Sequence, residues 1–141
     1  MSDFCLKFDG VSGYVDTGQT FQAVFRSDFS ISLWFKLDEF PSASRLVVVE
    51  NGAATVLQIG LSTEGNEVWC GYQADGLVPE PNFNWSDFTL NAWHHLVCVV
   101  SQVGQLILVD MHLDGVYRAR EFSQSPANMS SFVADGHLTI G

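Results

Sequence analysis

The sequence predicts an all-β protein built as a sandwich of two antiparallel sheets, and three observations support this prediction. Between Phe29 and Leu37 an apolar residue occupies every second position, with mostly polar residues between them. This period of two puts one set of side chains on each face of an extended strand, whereas a helix would spread them around its circumference. Turn dipeptides recur at short intervals, and no segment has the periodicity of a crossover helix. The length of 141 residues suits one domain, 1–141.

The first half of the chain reads as short strands separated by turns. Residues 19–28 look like a connection that contains one helical turn. Asn51-Gly52 is a dipeptide favoured in tight hairpins, and it separates two of the strands. The expected strands up to residue 74 are residues 5–8, 14–16, 29–38, 46–50, 55–62 and 67–74.

The second half continues the same pattern with longer connections. We expect a long loop over 75–91 and another over 123–136. The segment 93–101 has apolar residues at both odd and even positions, which is typical of a central strand buried on both faces. Asp114-Gly115 is the expected turn of a hairpin. The remaining expected strands are residues 106–113, 116–122 and 138–140.

Composition and charge exclude several classes of partner. Six basic residues stand against sixteen acidic ones, giving a formal charge of −10. Binding to a nucleic acid backbone or an anionic membrane surface depends on Lys and Arg, so we expect neither partner. Three cysteines are an odd number and lie in apolar runs, which favours buried thiols over a disulfide framework.

The sequence shows no signal peptide pattern, and its apolar runs are too short to span a bilayer. We therefore expect a soluble protein without membrane insertion. It would be made in the cytoplasm, either to act there or to reach a virion or the cell exterior.

Six blocks of sequence, taken in order, resemble a laminin-G-like domain of the concanavalin A-like lectin/glucanase superfamily. The resemblance covers nearly the whole chain and implies a concanavalin A-like, two-sheet antiparallel jelly roll. The six blocks are residues 6–10, 14–18, 29–36, 91–97, 106–116 and 138–141.

In such domains a further strand follows the late strand and closes the sandwich, whereas this sequence ends at Gly141. The fold would then lack its closing C-terminal strand and leave an unpaired slot beside a sheet edge. We expect either an oligomer or a strand-complementing partner chain at that edge, unless the sequence is shortened.

The residues needed for catalysis are not found. The glucanases that share the resembled fold carry Glu-x-Asp-x-x-Glu or a close variant on one strand, and this sequence has no such triplet. It contains no G-x-S-x-G nucleophile elbow, and its four histidines lack zinc-ligand spacing. We therefore predict that the protein is not an enzyme.

The loop 75–91 is the candidate for ligand recognition. A sugar site needs a planar aromatic ring for the apolar sugar face, and amides or carboxylates for the hydroxyls. The alternative, which stays open, is that the loop aromatics fold back as a plug over one end of the sandwich. The candidate residues are Tyr72, Asn82, Phe83, Asn84, Trp85 and Asp87.

Calcium is the one cofactor that the resemblance suggests. Domains of this kind often bind it through carboxylates and turn carbonyls near a sheet rim, and Asp9 and Asp16 lie at consecutive turns. The alternative is that these aspartates only form the turns.

Three functions remain in order of preference. The first is a non-catalytic recognition and assembly module, such as a virion decoration, fibre or surface-adhesion protein, that binds a glycan or protein partner. The second is a carbohydrate-binding, lectin-like module of a cellular protein. A glycoside hydrolase is third.

Overall fold

A computed structural model describes residues 5–9, 12–41, 43–52, 54–62, 66–76 and 78–141, with only the backbone of Ala43 and Trp85. These residues form strands connected by turns, one short helix α1 (Gln22–Phe25) and two 3₁₀ turns. The strands are β1 (Val15–Asp16), β2 (Phe29–Phe35), β3 (Ala43–Asn51), β4 (Ala54–Ser62), β5 (Glu67–Tyr72), β6 (Asn82–Asn84), β7 (His94–Val103), β8 (Leu106–Leu113), β9 (Val116–Phe122) and β10 (Thr139–Ile140).

The strands form two antiparallel sheets. The six-stranded sheet has the order β1-β10-β3-β4-β5-β6, and the four-stranded sheet has the order β2-β7-β8-β9. The two sheets bury a shared apolar core, so the predicted antiparallel sandwich is confirmed. None of the helices among the described residues is long and apolar enough to cross a membrane.

The core forms because each strand alternates its side chains between two faces. On β4, Leu57, Ile59 and Leu61 are fully buried, while Gln58 between them and Ser62 after them are half-buried on the outer face. Apolar residues on alternate positions of the other sheet complete the core, which removes their surface from water and stabilises the fold.

The three cysteines differ in their exposure to solvent. Cys70 on β5 and Cys98 on β7 are buried, as expected for small apolar side chains, whereas Cys5 is exposed. The pKa of Cys98 is well above its usual range because its thiol shares a hydrogen bond with the thiol of Cys70 and is buried. The two sheets therefore contact each other through these thiols.

Tyr72 belongs to the core and not to a ligand surface. Its ring is fully buried and stacks on Phe132 at 5.1 Å between ring centroids. The hydroxyl donates a hydrogen bond to the carbonyl of Phe25 at the end of α1, and burial raises the pKa of Tyr72. The tyrosine predicted to stand at the base of a binding loop thus attaches the helix to the six-stranded sheet.

Several predicted elements differ from those observed. Residues 5–8, expected to be the first strand, have an irregular backbone. The predicted loop 75–91 contains strand β6. The outer side chains of β7 from His95 to Ser101 are half-buried, whereas burial on both faces was expected over residues 93–101.

The last strand, β10, also differs from the expectation of an open slot beside it. It is paired on both sides, with β1 and with β3. The unpaired edges of the two described sheets are instead β1, β6, β2 and β9.

Candidate ligand-binding face

One row of side chains crosses four neighbouring strands of the six-stranded sheet. Arg45 on β3 is opposite Gly60 on β4, Gly60 is opposite Trp69 on β5, and Trp69 is opposite Asn82 on β6. Residues that pair across antiparallel strands project from the same face. Because the next residue along β5, Cys70, points into the core, this row points outward.

The indole of Trp69 lies flat against the backbone of Gly60. A Cβ atom at residue 60 would stand 2.3 Å from Cζ2 and 2.6 Å from Cη2 of that ring. No side chain fits there without moving the ring, so Gly60 is the residue that lets the indole lie across β4. The result is a half-buried aromatic surface between Arg45 and Asn82.

Polar side chains surround this aromatic surface. A second row, next to the first, consists of Ser62, Glu67 and Asn84 on β4, β5 and β6. The side-chain oxygen of Asn84 accepts a hydrogen bond from the Ser86 amide at 2.9 Å, which begins the 3₁₀ turn Trp85–Asp87. This bond fixes the Asn84 side chain beside Glu67.

Glu80 lies next to these polar residues, and two hydrogen bonds hold it in place. Its carboxylate accepts a hydrogen bond from Gln58 at 3.2 Å, and its backbone amide donates to Glu121 of β9 at 3.0 Å. Burial raises the pKa of Glu80, and the nearby carboxylates of Glu121 and Glu67 raise it further against the lowering effect of Gln58. The face thus offers amides, carboxylates and one guanidinium around an aromatic ring.

A groove of about 310 Å³ lies at the opposite end of the same sheet, and Tyr14 and Glu50 contribute to its wall. Asp16 also lines this groove, and it accepts a hydrogen bond from His137 at 2.9 Å. The amide of Gly18, together with this histidine, holds the pKa of Asp16 below its usual range. Because neighbouring strands are about 4.8 Å apart, the face extends about 24 Å from β1 to β6.

Comparison with known families agrees with this architecture. A laminin G family model, described as the concanavalin A-like lectin/glucanases superfamily, matches residues 9–141. The chain belongs to this family. No curated protein sequence gives a significant match.

A solved structure shares the fold of this laminin-G-like domain. It is galectin LEC-6 of Caenorhabditis elegans, with a TM-score of 0.53 and 16% sequence identity. The alignment covers 92% of this chain and 81% of the galectin chain. The concanavalin A-like jelly roll expected from the sequence is therefore confirmed.

The structure brings together only some of the residues predicted to bind a ligand. Asn82 and Asn84 are exposed on the outer face of β6, next to Trp69. Phe83 between them points into the core, where it is 7% exposed. Asp87 is 3.3 Å from the guanidinium of Arg118, in an ion pair.

The remaining candidate, the side chain of Trp85, lies outside the described part of the structure. Trp69 was missed, although its signal is present in the sequence. The segment 67–72 alternates Glu67, Trp69 and Gly71 with the apolar residues of the core face.

Asp9 and Asp16 are engaged in turns. The carboxylate of Asp9 accepts hydrogen bonds from the amides of Ser12 and Gly13 at 2.9 and 3.0 Å, and from the Ser12 hydroxyl at 3.2 Å. The carboxylate of Asp16 accepts hydrogen bonds from the Gly18 amide at 2.8 Å and from His137.

Calcium requires six to eight oxygen ligands. The described residues contain no group of three His, Cys, Asp or Glu side chains that could hold a metal ion. Calcium binding by Asp9 and Asp16 therefore stays a prediction.

Proposed function

We propose that this laminin-G-like domain is a non-catalytic, carbohydrate-binding lectin-like module that binds neutral glycans on the outer face of its six-stranded sheet. The observation that carries the proposal is the indole of Trp69, which lies flat on Gly60 between Arg45 and Asn82. The family's description as lectins and glucanases, and the shared fold with a galectin, support a sugar-binding role.

The chemistry of the face suits a pyranose ring. The flat ring of Trp69 would cover the apolar face of the sugar, while amide, carboxylate and guanidinium groups exchange hydrogen bonds with its hydroxyls. Asn82 and Asn84 supply both donors and acceptors, and Arg45 supplies donors only. The formal charge of −10 disfavours an anionic sugar, so we infer a neutral glycan.

These findings favour the lectin-like module over a virion decoration or fibre protein. They support the fold and a sugar-binding role, and neither the family nor the galectin likeness points to a virion.

Hydrolysis is a weaker candidate for the same face. Glu80 and Glu67 are neighbouring carboxylates, and a raised pKa such as that of Glu80 suits a general acid. Glu80 is, however, bonded to Gln58 on β4 and through its own amide to Glu121 on β9, which supports a role in holding the sheets together.

The test is a glycan array followed by calorimetric titration of the best ligand. We expect Trp69→Ala to reduce the affinity at least tenfold, and Asn82→Ala to reduce it less. Trp93→Ala is the matched control, because Trp93 is another partly exposed tryptophan, 47% exposed, outside the proposed face. Retained binding in Trp69→Ala, or release of reducing sugar from the ligand by the native chain, contradicts the proposal.

A further inference from the structure

Strand β2 is an unprotected edge of the four-stranded sheet. It pairs with β7 on one side, and no other strand among the described residues pairs with its outer side. Its seven residues, Phe29–Phe35, include no charged residue, proline or glycine. An edge of this length and composition is the kind that accepts another strand, because the outward N–H and C=O groups of an edge strand can pair with those of a further strand.

The other edges of the described sheets lack this combination. Strand β9, at the far side of the same sheet, carries Arg118, Arg120 and Glu121, and charged residues discourage pairing. In the six-stranded sheet the edge strands β1 and β6 have only two and three residues. Strand β2 is therefore the edge at which we look for a partner.

The side chains of β2 are also incompletely covered. Phe29, Ile31 and Leu33 pack against the core but remain partly exposed. On the outer face Trp34 is 64% exposed and stacks on His95 with 4.8 Å between ring centroids. A strand added at this edge would cover apolar surface on both faces of the sheet, which favours association.

We propose that β2 pairs antiparallel with β2 of a second copy of this chain, with the two-fold axis at Ser32. This register places Phe29 of each copy opposite Phe35 of the other, and Ile31 opposite Leu33. The core-facing pairs are then apolar throughout. On the outer face, Trp34 of each copy covers Ser30 of the other.

Charge complementarity selects this register. With the axis at Ser32, Asp28 of one copy is opposite Lys36 of the other, once at each end of the paired strands. A register that places Asp28 opposite Asp38 of the other copy would bring two negative charges together and weaken the pairing. A register that places Arg26 opposite Lys36 would bring two positive charges together, with the same effect. Asp28 and Lys36 are both exposed, so both are accessible to a second copy.

Charge reversal combined with sedimentation equilibrium tests the pairing. We expect a concentration-dependent dimer for the native chain, at least tenfold weaker association for Lys36→Glu and for Asp28→Lys, and recovery in the double variant that exchanges the two charges. Melting curves check that each variant folds, because Asp28 also accepts a hydrogen bond from the Gln102 amide. A native monomer at all concentrations overturns the proposal, and so does a dimer that neither reversal weakens.

A disulfide tests the register itself. Paired residues at the axis have Cα atoms about 4.5–5.5 Å apart, within reach of a disulfide. In a Cys5→Ser background we expect Ser32→Cys to form a covalent dimer on oxidation. Ser30→Cys is the matched control. In this register, residue 30 of one copy is opposite Trp34 of the other, so the two residues at position 30 are about 13 Å apart along the strands. Cross-linking of Ser30→Cys, or none in Ser32→Cys, overturns the assigned register.

Discussion

At the scale of one residue, the contact between Gly60 and the indole of Trp69 makes the ligand face sensitive to a single added carbon. Gly60→Ala would place a Cβ 2.3 Å from Cζ2 of the ring, so the ring must move off β4. We expect at least tenfold weaker glycan binding, measured by calorimetry, with the fold retained. At Gly13 the nearest atom to an added Cβ is at 3.5 Å, so Gly13→Ala is the control. Unchanged binding in Gly60→Ala would show that the flat indole is not the platform.

Asp114 provides a second prediction at this scale. It occupies a left-handed backbone conformation in the β8–β9 turn, with φ of 53°. Its carboxylate accepts hydrogen bonds from the His95 amide and lies 2.8 Å from Nδ1 of His94. Burial alone would raise the pKa of Asp114, but these two bonds and the charges of His94 and Arg118 lower it overall.

A lowered folded-state pKa means that Asp114 contributes stability above its unfolded pKa of about 3.9, and that this contribution disappears as the pH falls through the folded-state value. We expect Asp114→Asn, which tolerates the same backbone conformation, to melt at a lower temperature than the native chain at pH 7. The difference should shrink below about pH 4. A difference that stays constant down to pH 2 would rule out this carboxylate as the origin of the effect.

At the scale of elements, periodicity predicts long strands well. It predicts short segments poorly, because whether such a segment is a strand depends on its pairing with a neighbour. Strand β2 follows from its alternation alone. Strand β6 was missed because Pro79 and Pro81 precede it and proline lacks an N–H donor. The carbonyls of these prolines nevertheless accept the amides of Tyr72 and Cys70, which attaches the segment to β5. Residues 5–8 have a strand-like sequence without the pairing that would make them a strand.

The attachment of α1 to β5 predicts a measurable stability change. Tyr72→Phe removes the hydroxyl that donates to the Phe25 carbonyl and leaves that buried acceptor without this donor. We expect the free energy of unfolding to fall by about 1–2 kcal/mol in urea denaturation. Tyr14→Phe, at a tyrosine that is 65% exposed, should change it by less than about 0.5 kcal/mol. Equal stability of the Tyr72→Phe and native chains would mean that the bond contributes nothing.

At the scale of the whole molecule, the candidate face is harder to predict than the fold because it depends on register. Its row joins residues from 45 to 82 on four strands. An irregularity in the pairing of β3, between Arg45 and Val47, breaks the simple alternation that a sequence pattern assumes. Asn82 and Asn84 could be predicted from composition, whereas the contact of Trp69 with Gly60 appears only once β4 and β5 are aligned.

The two proposed surfaces lie on different sheets, so the molecule should use them independently. Breaking the dimer with Lys36→Glu should leave the affinity for a free monovalent sugar unchanged. Two linked sites bind a dense glycan surface more tightly than one, so the same variant should be retained about 100-fold less on that surface. Trp69→Ala should lose both kinds of binding and keep the native dimer in sedimentation. If Lys36→Glu instead weakens binding of the free sugar, the glycan site extends to the β2 edge and the two surfaces are coupled.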